Sequence, residues 1–368
     1  MRQIWIAKKG GYDALDVREA PDPTPGPGEV VIDVRASGVN FADVLARMGM
    51  YPDAPPIPCV VGYEVAGVVE TVGPVPPAAG GGGTVGQGGK AGTGAPTARA
   101  DTTGAAEPLE VGDRVMALTR FGGYATKVSV PRNQVFRMPS EMDFATAAAI
   151  PVNYFTAYLA VARFGNLQAD ERILVHNAGG GVGIAAIQLA RAAGARVYGT
   201  ASSWKHERLR ELGADELIDY RAVDWETEIT KATSGGGVHV IIDPIGGKNL
   251  ARDLRVLAPL GRLVAFGFSE PVRNGTRSFL RTLRSFLSMP RPHFLSLLNN
   301  NHAVAGLNLG HLWSEIDRLR DVGTTILDAW RAGTVAPVIA AEVPFEEPAD
   351  AHRLLEERMN LGKVVLVT

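Results

Sequence analysis

Cysteine is almost absent from this 368-residue sequence, and its absence excludes two kinds of stabilisation. The single cysteine, Cys59, has no partner for an intramolecular disulfide, and it cannot build a zinc site of the four-cysteine kind. A reducing, cytoplasmic location fits this count. An excess of positive charge is also missing, since the formal net charge is -2. The charge balance therefore gives no indication of a nucleic-acid partner or of an anionic membrane surface.

Long apolar segments are scarce as well. Residues 144–162 carry no charge and approach the length of a membrane-spanning helix. The segment contains Pro151 and Asn153, which are costly inside a bilayer, and much of the remainder is alanine. We therefore expect two short helices separated at Pro151, and no transmembrane segment.

Large apolar side chains disappear between Pro74 and Pro108. This stretch has no aromatic residue and no Leu, Ile or Met, and it is dominated by Gly, Ala, Pro and Thr. Such a composition cannot bury enough apolar surface to offset the entropy lost on ordering. We predict a flexible insertion in a surface loop at residues 78–106. A phosphate-binding loop is a poor alternative, because no strand leads directly into the segment and no helix leaves it.

The second half of the chain alternates between strand and helix patterns. Four short apolar runs predict buried strands, at residues 173–176, 196–200, 238–243 and 262–266. Helical patterns at 183–193 and 205–211 follow the first two runs. This alternation is typical of an α/β fold with a doubly wound parallel sheet of the Rossmann type.

The first third of the chain has a β-rich pattern instead. Residues 30–36 alternate like a strand after a Pro/Gly turn, and residues 60–72 hold further β-rich sequence interrupted by glycines. At the other end, residues 362–367 predict a last strand after a helical segment at 344–359. We expect that last strand to return to the N-terminal domain.

A glycine-rich loop joins the first strand of the predicted Rossmann sheet to its helix. It reads Asn177-Ala178-Gly179-Gly180-Gly181-Val182-Gly183. A dinucleotide fingerprint needs a small residue for the turn, a glycine for close approach of the pyrophosphate, and a glycine for packing of helix on strand. Ala178, Gly180 and Gly183 have that spacing. Free N–H groups at the start of the helix would then face the pyrophosphate.

The end of the second predicted strand indicates which dinucleotide binds. An NAD site usually has an acidic residue about 20 residues further on, where it holds the ribose hydroxyls. Here the sequence is Thr200-Ala201-Ser202-Ser203-Trp204-Lys205, and the first carboxylate is Glu207. Hydroxyl side chains and a lysine suit a 2′-phosphate, so we predict NADPH as the cofactor, with contacts from Ser202 and Lys205. A solvated helix residue is the alternative interpretation of Lys205.

Several further motifs give the chain a family resemblance. They are Ala36-Ser37-Gly38-Val39-Asn40-Phe41-Ala42-Asp43, Gly62-Tyr63-Glu64-Val65-Ala66-Gly67, Val111-Gly112-Asp113-Arg114-Val115, Pro151-Val152-Asn153-Tyr154-Phe155-Thr156-Ala157-Tyr158, Leu212-Gly213-Ala214-Asp215 and Gly306-Leu307-Asn308-Leu309-Gly310. In this order, and with the glycine-rich loop, they resemble the medium-chain dehydrogenase/reductase superfamily. The chain is most similar to the zinc-free quinone oxidoreductase branch and its vesicle amine transport protein subgroup.

The resemblance implies a fold, a domain organisation and an assembly. It implies a GroES-like catalytic domain at 1–139, a Rossmann dinucleotide-binding domain at 140–310, and a C-terminal segment at 311–368 that returns to the catalytic domain. A homodimer is expected. Zinc-dependent relatives have a cysteine where this chain has Asn40 and a histidine where it has Tyr63. Asparagine and tyrosine are poor zinc ligands, so we expect no metal.

The resemblance also implies roles for particular residues. Asn40 would lie near the nicotinamide and the substrate, Thr156 near the nicotinamide, and Tyr51 in the substrate cleft. Lys205 and Tyr220 would contact the 2′-phosphate. A cleft tyrosine of some relatives corresponds to Leu45 here, which makes the pocket less polar. Without the resemblance, Asn40 can equally cap a turn, Tyr51 can pack a loop, and Glu64 can be a buried structural acid.

These observations predict a reductase of quinones or α,β-unsaturated carbonyls that transfers hydride directly from NADPH. The oxyanion or enolate that develops needs a hydrogen-bond donor, and we expect Asn40, Tyr51 or the nicotinamide ribose hydroxyl to supply it. No histidine, lysine or carboxylate presents itself as a general acid, so we expect protons to come from solvent. One alternative is an enoyl-thioester reductase. Another is a non-catalytic NADPH-binding protein that contacts a membrane or a partner through the basic, apolar segment 277–298. A flap over the cleft or a dimer contact is the other interpretation of that segment, because Pro290 and Pro292 interrupt any long amphipathic helix.

Overall fold

The computed structural model describes residues 1–75, 108–269 and 293–368. The insertion predicted at 78–106 lies outside the described residues, and so does most of the segment 277–298. Within the described ranges, no helix is long and apolar enough to cross a membrane.

The described residues form a β-rich first part and an α/β second part. Its strands are β1 (Arg2–Ile6), β2 (Leu15–Glu19), β3 (Glu29–Val39), β4 (Cys59–Val60), β5 (Glu64–Val72), β6 (Arg114–Leu118), β7 (Lys127–Pro131), β8 (Val135–Arg137), β9 (Arg172–Val175), β10 (Arg196–Thr200), β11 (Glu216–Ile218), β12 (Val238–Asp243), β13 (Leu257–Ala265), β14 (Ala303–Gly306), β15 (Ile339–Pro344) and β16 (Lys363–Val367). Its helices are α1 (Phe41–Arg47), α2 (Phe144–Ala148), α3 (Pro151–Tyr158), α4 (Gly181–Ala192), α5 (His206–Glu211), α6 (Trp225–Ala232), α7 (Asn249–Val256), α8 (Phe294–Asn300), α9 (Ile316–Arg331) and α10 (Pro348–Glu356).

A six-stranded parallel sheet has the order β11-β10-β9-β12-β13-β14. Numbered from its first strand, this order is 3-2-1-4-5-6, which is the doubly wound Rossmann topology. The central strands are continuous apolar runs; Ile173, Ile241 and Ile242 are fully buried. Helices cover both faces of such a sheet, and burial of each large aliphatic side chain contributes about 1.5–3 kcal/mol. The predicted Rossmann fold is confirmed.

The β-rich part forms a seven-stranded sheet of order β15-β16-β3-β5-β6-β8, with β7 also paired to β3, and a small sheet of order β2-β1-β4. The last strand of the chain, β16, pairs antiparallel with β3. In this pairing Val364 lies opposite Val39, one residue before Asn40. The C-terminus is therefore built into the sheet that carries the N-terminal candidate residues.

Local differences from the predicted elements have physical reasons. The β-rich run at 60–72 is split into β4 and β5, because Gly62 has φ +98 and turns the chain. Helix α4 begins two residues earlier than predicted, inside the glycine-rich loop. The helix predicted from Lys205 begins at His206, after a 3-10 turn. The helical segment predicted at 344–359 is the shorter α10, and Pro344 ends β15 instead.

The uncharged segment 144–162 forms two short helices, α2 and α3, as predicted, with Pro151 at the first turn of α3. Asp143 caps α2, because its carboxylate accepts the N–H of Thr146 at 2.7 Å. Helix α3 then packs against α4 of the Rossmann sheet. This placement brings the polar residues of α3 beside the glycine-rich loop.

Candidate active site

The glycine-rich loop connects β9 to α4 and has no space for larger side chains. The N–H of Ala178 donates to the carbonyl of Thr200 at 3.0 Å, which fixes the loop to the end of β10. A Cβ on Gly183 would lie 2.5 Å from the carbonyl oxygen of Asn177 and 2.7 Å from that of Ala178. The first N–H groups of a helix have no partner within the helix, so the start of α4 can bind an anion such as a pyrophosphate.

The C-terminal strand and α3 approach this loop from two sides. The N–H of Gly362 donates to the carbonyl of Gly179 at 2.9 Å. The buried Asn153 of α3 packs its amide directly against Gly181, leaving no room for a Cβ there. A small cavity between these parts is lined by Asn153, Gly181 and Lys363, among others. Thr156 lies one turn further along α3 and is also buried.

At the other end of the loop, positive charge gathers where the second strand ends. Ser202 and Lys205 follow β10 and are each 5% exposed. Lys205 Nζ donates to the carbonyl of Asn360 at 2.5 Å, and the ring of the exposed Trp204 lies with its centroid 5.0 Å from the same nitrogen. Arg358 donates through Nη1 to Tyr220 Oη at 3.2 Å. The predicted Ser202, Lys205 and Tyr220 thus lie in one region, which Arg358 also reaches.

The pKa shifts of Lys205 and Tyr220 also show that positive charge is concentrated in this region. Burial, with a smaller contribution from the guanidinium groups of Arg221 and Arg358, lowers the pKa of Lys205 to about 8. Burial alone would raise the pKa of Tyr220, but hydrogen bonds and charges from Arg358 and Arg221 lower it below its usual value. The nearby carboxylate of Asp219 already accepts the backbone N–H groups of Ser203 and Arg221. An anion would relieve the repulsion among these cations.

Asn40 lies at the start of α1, in a buried polar cluster with Glu64 and Lys363. Its Nδ2 donates to Glu64 Oε1 at 2.9 Å, and its Oδ1 accepts from Lys363 Nζ at 2.6 Å. Lys363 also forms an ion pair with Glu64, whose other oxygen accepts the N–H of Val152 at 2.7 Å. All three side chains are at least nine-tenths buried. The β16–β3 pairing brings Lys363 to Asn40, a contact that no local sequence motif indicated.

The carboxylate of Asp43 holds the backbone on which this cluster is built. Its carboxylate accepts the backbone N–H of Asn40 at 2.8 Å and that of Gly62 at 3.0 Å. The hydroxyl of Tyr124 donates to it at 3.2 Å. Complete burial raises the pKa of Asp43 to about 7, although these hydrogen bonds act in the opposite direction. Asp43 fixes both the start of α1 and the turn that leads into β5.

Aromatic side chains form one wall beside the cluster. The rings of Tyr51 and Tyr63 meet edge to face with centroids 6.2 Å apart, and the ring of Phe121 lies 5.2 Å from that of Tyr63. Tyr51 Oη lies 3.7 Å from the position that a Cβ on Gly310 would take, so this wall reaches the nucleotide-binding part. Leu45 packs instead with the apolar residues of its own helix.

Near Tyr51, polar contacts join the β-rich part of the chain to the Rossmann part. Asp53 accepts from His311 Nε2 at 2.8 Å and from Asn308 Nδ2 at 3.3 Å. Among the described residues, no group of three or more His, Cys, Asp or Glu side chains is arranged to bind a metal ion. The residues at this junction can donate and accept hydrogen bonds, and Tyr51, Tyr63 and Phe121 can pack against a flat ring.

Sequence reasoning found part of this arrangement. The candidate residues fall into a phosphate loop, a cationic group at the end of β10, and the Asn40 region with Tyr51. Lys363, Arg221, Arg358 and Asn153 were missed. Arg221 follows Tyr220 directly in the sequence, so its proximity to that predicted residue was an available signal. The other three lie far along the chain from the residues that they approach, and a single sequence carries no signal that pairs such distant positions.

Comparison with known proteins then assigns the family. Residues 26–140 match the family model described as alcohol dehydrogenase GroES-like domain, and residues 181–319 match that described as zinc-binding dehydrogenase. The range of the second match, residues 181–319, does not contain Asn40 or Tyr63. The synaptic vesicle membrane protein VAT-1 homolog of Rattus norvegicus is 39% identical over 370 residues, which covers 100% of this chain and 84% of the relative. The chain belongs to the medium-chain dehydrogenase/reductase superfamily. Within it, the chain is a member of the VAT-1-like subgroup.

Solved structures of this superfamily have the same fold over the whole chain. Escherichia coli quinone oxidoreductase complexed with NADPH has a TM-score of 0.80 and 25% identity, with 100% of both chains covered. CurK enoyl reductase has a TM-score of 0.76 and 25% identity, with 100% of this chain and 98% of that chain covered. This VAT-1-like chain is thus an oxidoreductase of the superfamily, with a GroES-like and a Rossmann-like domain.

Proposed function

We propose that this VAT-1-like protein is a zinc-independent, NADPH-dependent reductase of quinones or α,β-unsaturated carbonyl compounds. The observation that carries the proposal is the cationic group at the end of β10. Lys205, Arg221 and Arg358 surround the Tyr220 region, and the acidic residue expected of an NAD site is missing from the strand end. A 2′-phosphate would supply the negative charge that these side chains lack.

The residues present fit an extended dinucleotide. We assign the pyrophosphate to the loop that comprises Ala178, Gly179, Gly180, Gly181, Val182 and Gly183, and the 2′-phosphate to Ser202, Lys205 and Tyr220, assisted by Arg221 and Arg358. The nicotinamide would lie between Thr156 and Asn40. When bound there, NADPH supplies a hydride to the substrate.

The side chains of the protein position the cofactor and the substrate and provide the charges around them. Glu64 and Lys363 hold the two ends of the Asn40 amide, so Asn40 presents a fixed surface to the cofactor and substrate. Tyr51 and its aromatic neighbours provide a flat, largely apolar wall for a conjugated ring. Conjugated acceptors delocalise the charge that develops on reduction, whereas oxidation of an alcohol needs a group that stabilises an alkoxide, which a zinc ion does in metal enzymes. Asn40 and Tyr63 are poor zinc ligands.

Steady-state consumption of NADPH tests the proposal. We expect turnover with menadione and with a simple enone such as 3-buten-2-one, little oxidation of saturated alcohols with NADP+, and no loss of activity after treatment with a metal chelator. Activity that chelation abolishes and zinc restores would refute the metal-free mechanism. Robust alcohol oxidation without turnover of any conjugated acceptor would refute the substrate class.

Two alternatives predict different results in the same assay. An enoyl-thioester reductase, favoured by the likeness to CurK enoyl reductase, should prefer crotonyl-coenzyme A over menadione. A non-catalytic NADPH-binding protein should bind NADPH tightly and turn over none of these compounds.

Assembly and location are part of the same proposal. Among the described strands, β14 pairs only with β13, so it forms one edge of the Rossmann sheet. Val304 on this edge is 40% exposed, and Phe294, Leu295 and Leu298 of α8 are more than half exposed. Exposed apolar groups beside an open strand edge favour pairing with a second copy, so we propose a homodimer.

We also propose a cytoplasmic location, and domains at 1–139 and 140–310 with the returning segment at 311–368.

A further inference from the structure

The hydroxyl of Tyr63, in the aromatic wall, is poorly satisfied in the folded chain. Tyr63 is 8% exposed, and its buried hydroxyl has no hydrogen-bond partner of good geometry among the described residues. The hydroxyl of Tyr51 is near enough for a weak contact with it. Leaving a buried hydroxyl unpaired costs about 1–3 kcal/mol. An unpaired hydroxyl can simply be tolerated in the core, as that of Tyr198 is. Tyr63 differs because its ring belongs to the aromatic wall of the candidate site, where a bound ligand can supply the missing partner.

The backbone around Tyr63 is held firmly. The carbonyl of Tyr63 accepts the N–H of Thr119 at 2.7 Å, and the carbonyl of Gly62 accepts the hydroxyl of Thr119 at 2.8 Å. Asp43 holds the N–H of Gly62. The ring packs between those of Tyr51 and Phe121. The hydroxyl is therefore pre-positioned, and its orientation does not depend on a mobile side chain.

Two of the neighbouring donors, the Asn40 amide and the Lys363 ammonium, already have partners within the protein. Nδ2 of Asn40 donates to Glu64, and Lys363 is shared between Glu64 and Asn40 Oδ1. Redirecting either group to a substrate would leave the buried Glu64 carboxylate with fewer partners, which is costly. Tyr63 can donate to a ligand and lose no more than its weak contact with the Tyr51 hydroxyl.

We propose that the Tyr63 hydroxyl donates a hydrogen bond to the substrate oxygen on which negative charge develops during reduction. The inference rests on the proposed reductase function. In an enone, the β-carbon accepts the hydride, the C=C electron pair forms a double bond between the α-carbon and the carbonyl carbon, and the C=O π pair moves onto the oxygen. The enolate then takes a proton from water at the α-carbon and leaves hydroxide. In a quinone, one carbonyl oxygen accepts the hydride, the other carbonyl oxygen takes up the negative charge, and water protonates that oxygen and leaves hydroxide. In both cases Tyr63 keeps its own proton.

The electrostatic surroundings agree with a donor that is not itself deprotonated. Burial raises the pKa of Tyr63, and the nearby Asp43 carboxylate raises it further. The phenol is therefore protonated at neutral pH, which makes Tyr63 a hydrogen-bond donor and not a general base.

The test compares Tyr63→Phe with a matched variant, Tyr198→Phe. Tyr198 on β10 also has a buried hydroxyl with no partner among the described residues, but it lies in the core under α6, away from the aromatic wall. We expect Tyr63→Phe to lower kcat with menadione about 10- to 100-fold, in the range known for loss of an oxyanion donor or somewhat below it. The Kd for NADPH should stay unchanged, and Tyr198→Phe should match the wild type.

Two measurements without turnover complete the test. In urea unfolding, neither variant should be less stable than the wild type, since each loses a poorly paired hydroxyl. Menadione binding to the protein–NADP+ complex, followed by tryptophan fluorescence, should weaken about 3- to 10-fold in Tyr63→Phe only, the scale of one hydrogen bond. Unchanged kcat and unchanged menadione binding would overturn the inference, as would a marked loss of stability in Tyr63→Phe. Absence of turnover in the wild type would overturn the reductase proposal instead, and menadione binding would then decide the role of Tyr63; absence of both overturns both.

Discussion

At the scale of single residues, Lys205 has the position and the pKa to discriminate between nucleotides. Replacing Lys205 with alanine should weaken NADPH binding by about 1.5–3 kcal/mol, the strength of a hydrogen bond to a charged group, and should barely change NADH binding. Isothermal titration calorimetry with both nucleotides measures the difference. Arg208→Ala is the control, because Arg208 lies on α5 in an exposed pair with Glu211. Equal losses for NADPH and NADH would mean that Lys205 does not contact the 2′-phosphate.

The same lysine predicts a pH dependence. Since the pKa of Lys205 in the ligand-free protein is about 8, its positive charge is present below that pH and is lost as the pH rises through it. The preference for NADPH over NADH should therefore decline between pH 7 and pH 9.5 in the wild type. In Lys205→Ala the preference should be smaller throughout and nearly flat above pH 7. A flat profile in the wild type would contradict the assignment.

Lys363 predicts a large effect on stability. Lys363→Met would leave the carboxylate of Glu64 buried without its cation, and breaking such a buried pair costs about 3–5 kcal/mol. Urea unfolding should show this loss, and the double variant with Glu64→Gln should recover part of it because no buried charge remains. Lys231→Met, which removes an exposed partner of Glu228, should stay within about 0.5 kcal/mol of the wild type. A loss of similar size in the double variant would mean that the pair is not the cause.

At the scale of elements, the loop between β9 and α4 depends on Gly183. Alanine is a better helix former than glycine by about 1 kcal/mol, so propensity alone predicts that Gly183→Ala stabilises α4. The added Cβ would however lie 2.5 Å from the carbonyl oxygen of Asn177, and the backbone of the loop must shift to relieve that contact. We expect affinity for both nucleotides to fall at least about tenfold, since they share the pyrophosphate. The control is Gly306→Ala, where a Cβ meets no atom within 4 Å; equal affinities in the two variants would contradict the steric argument.

At the scale of the whole molecule, the open edge of the Rossmann sheet should decide the assembly state. A lysine at position 304 would place a charge on the edge strand β14, which is how natural sheets avoid pairing. Light scattering after size-exclusion chromatography should give twice the chain mass for the wild type and a shift toward one chain mass for Val304→Lys. Val111→Lys, at an exposed valine of the β-rich part, should leave the mass unchanged. A wild type that is monomeric at micromolar concentration would end the dimer proposal.

The amino-acid sequence alone determined the features that depend on neighbouring residues. The period of the apolar runs predicted the parallel sheet, the spacing of Ala178, Gly180 and Gly183 predicted the phosphate loop, and Pro151 divided the uncharged segment into α2 and α3. Asn40 and Tyr63 were identified as poor zinc ligands without any coordinates. Such features are local, because strand alternation, turn geometry and ligand chemistry are properties of a few consecutive residues.

Only the tertiary structure decided which distant residues complete the site. The pairing of β16 with β3 places Lys363 against Asn40, and the C-terminal segment after α10 brings Arg358 to Tyr220. That the Tyr63 hydroxyl has no partner of good geometry, while the Asn40 amide has two, depends on how the rings and the charged groups pack. Contacts across hundreds of residues arise from the closing of sheets and from burial, and a single sequence contains no periodicity that reports them.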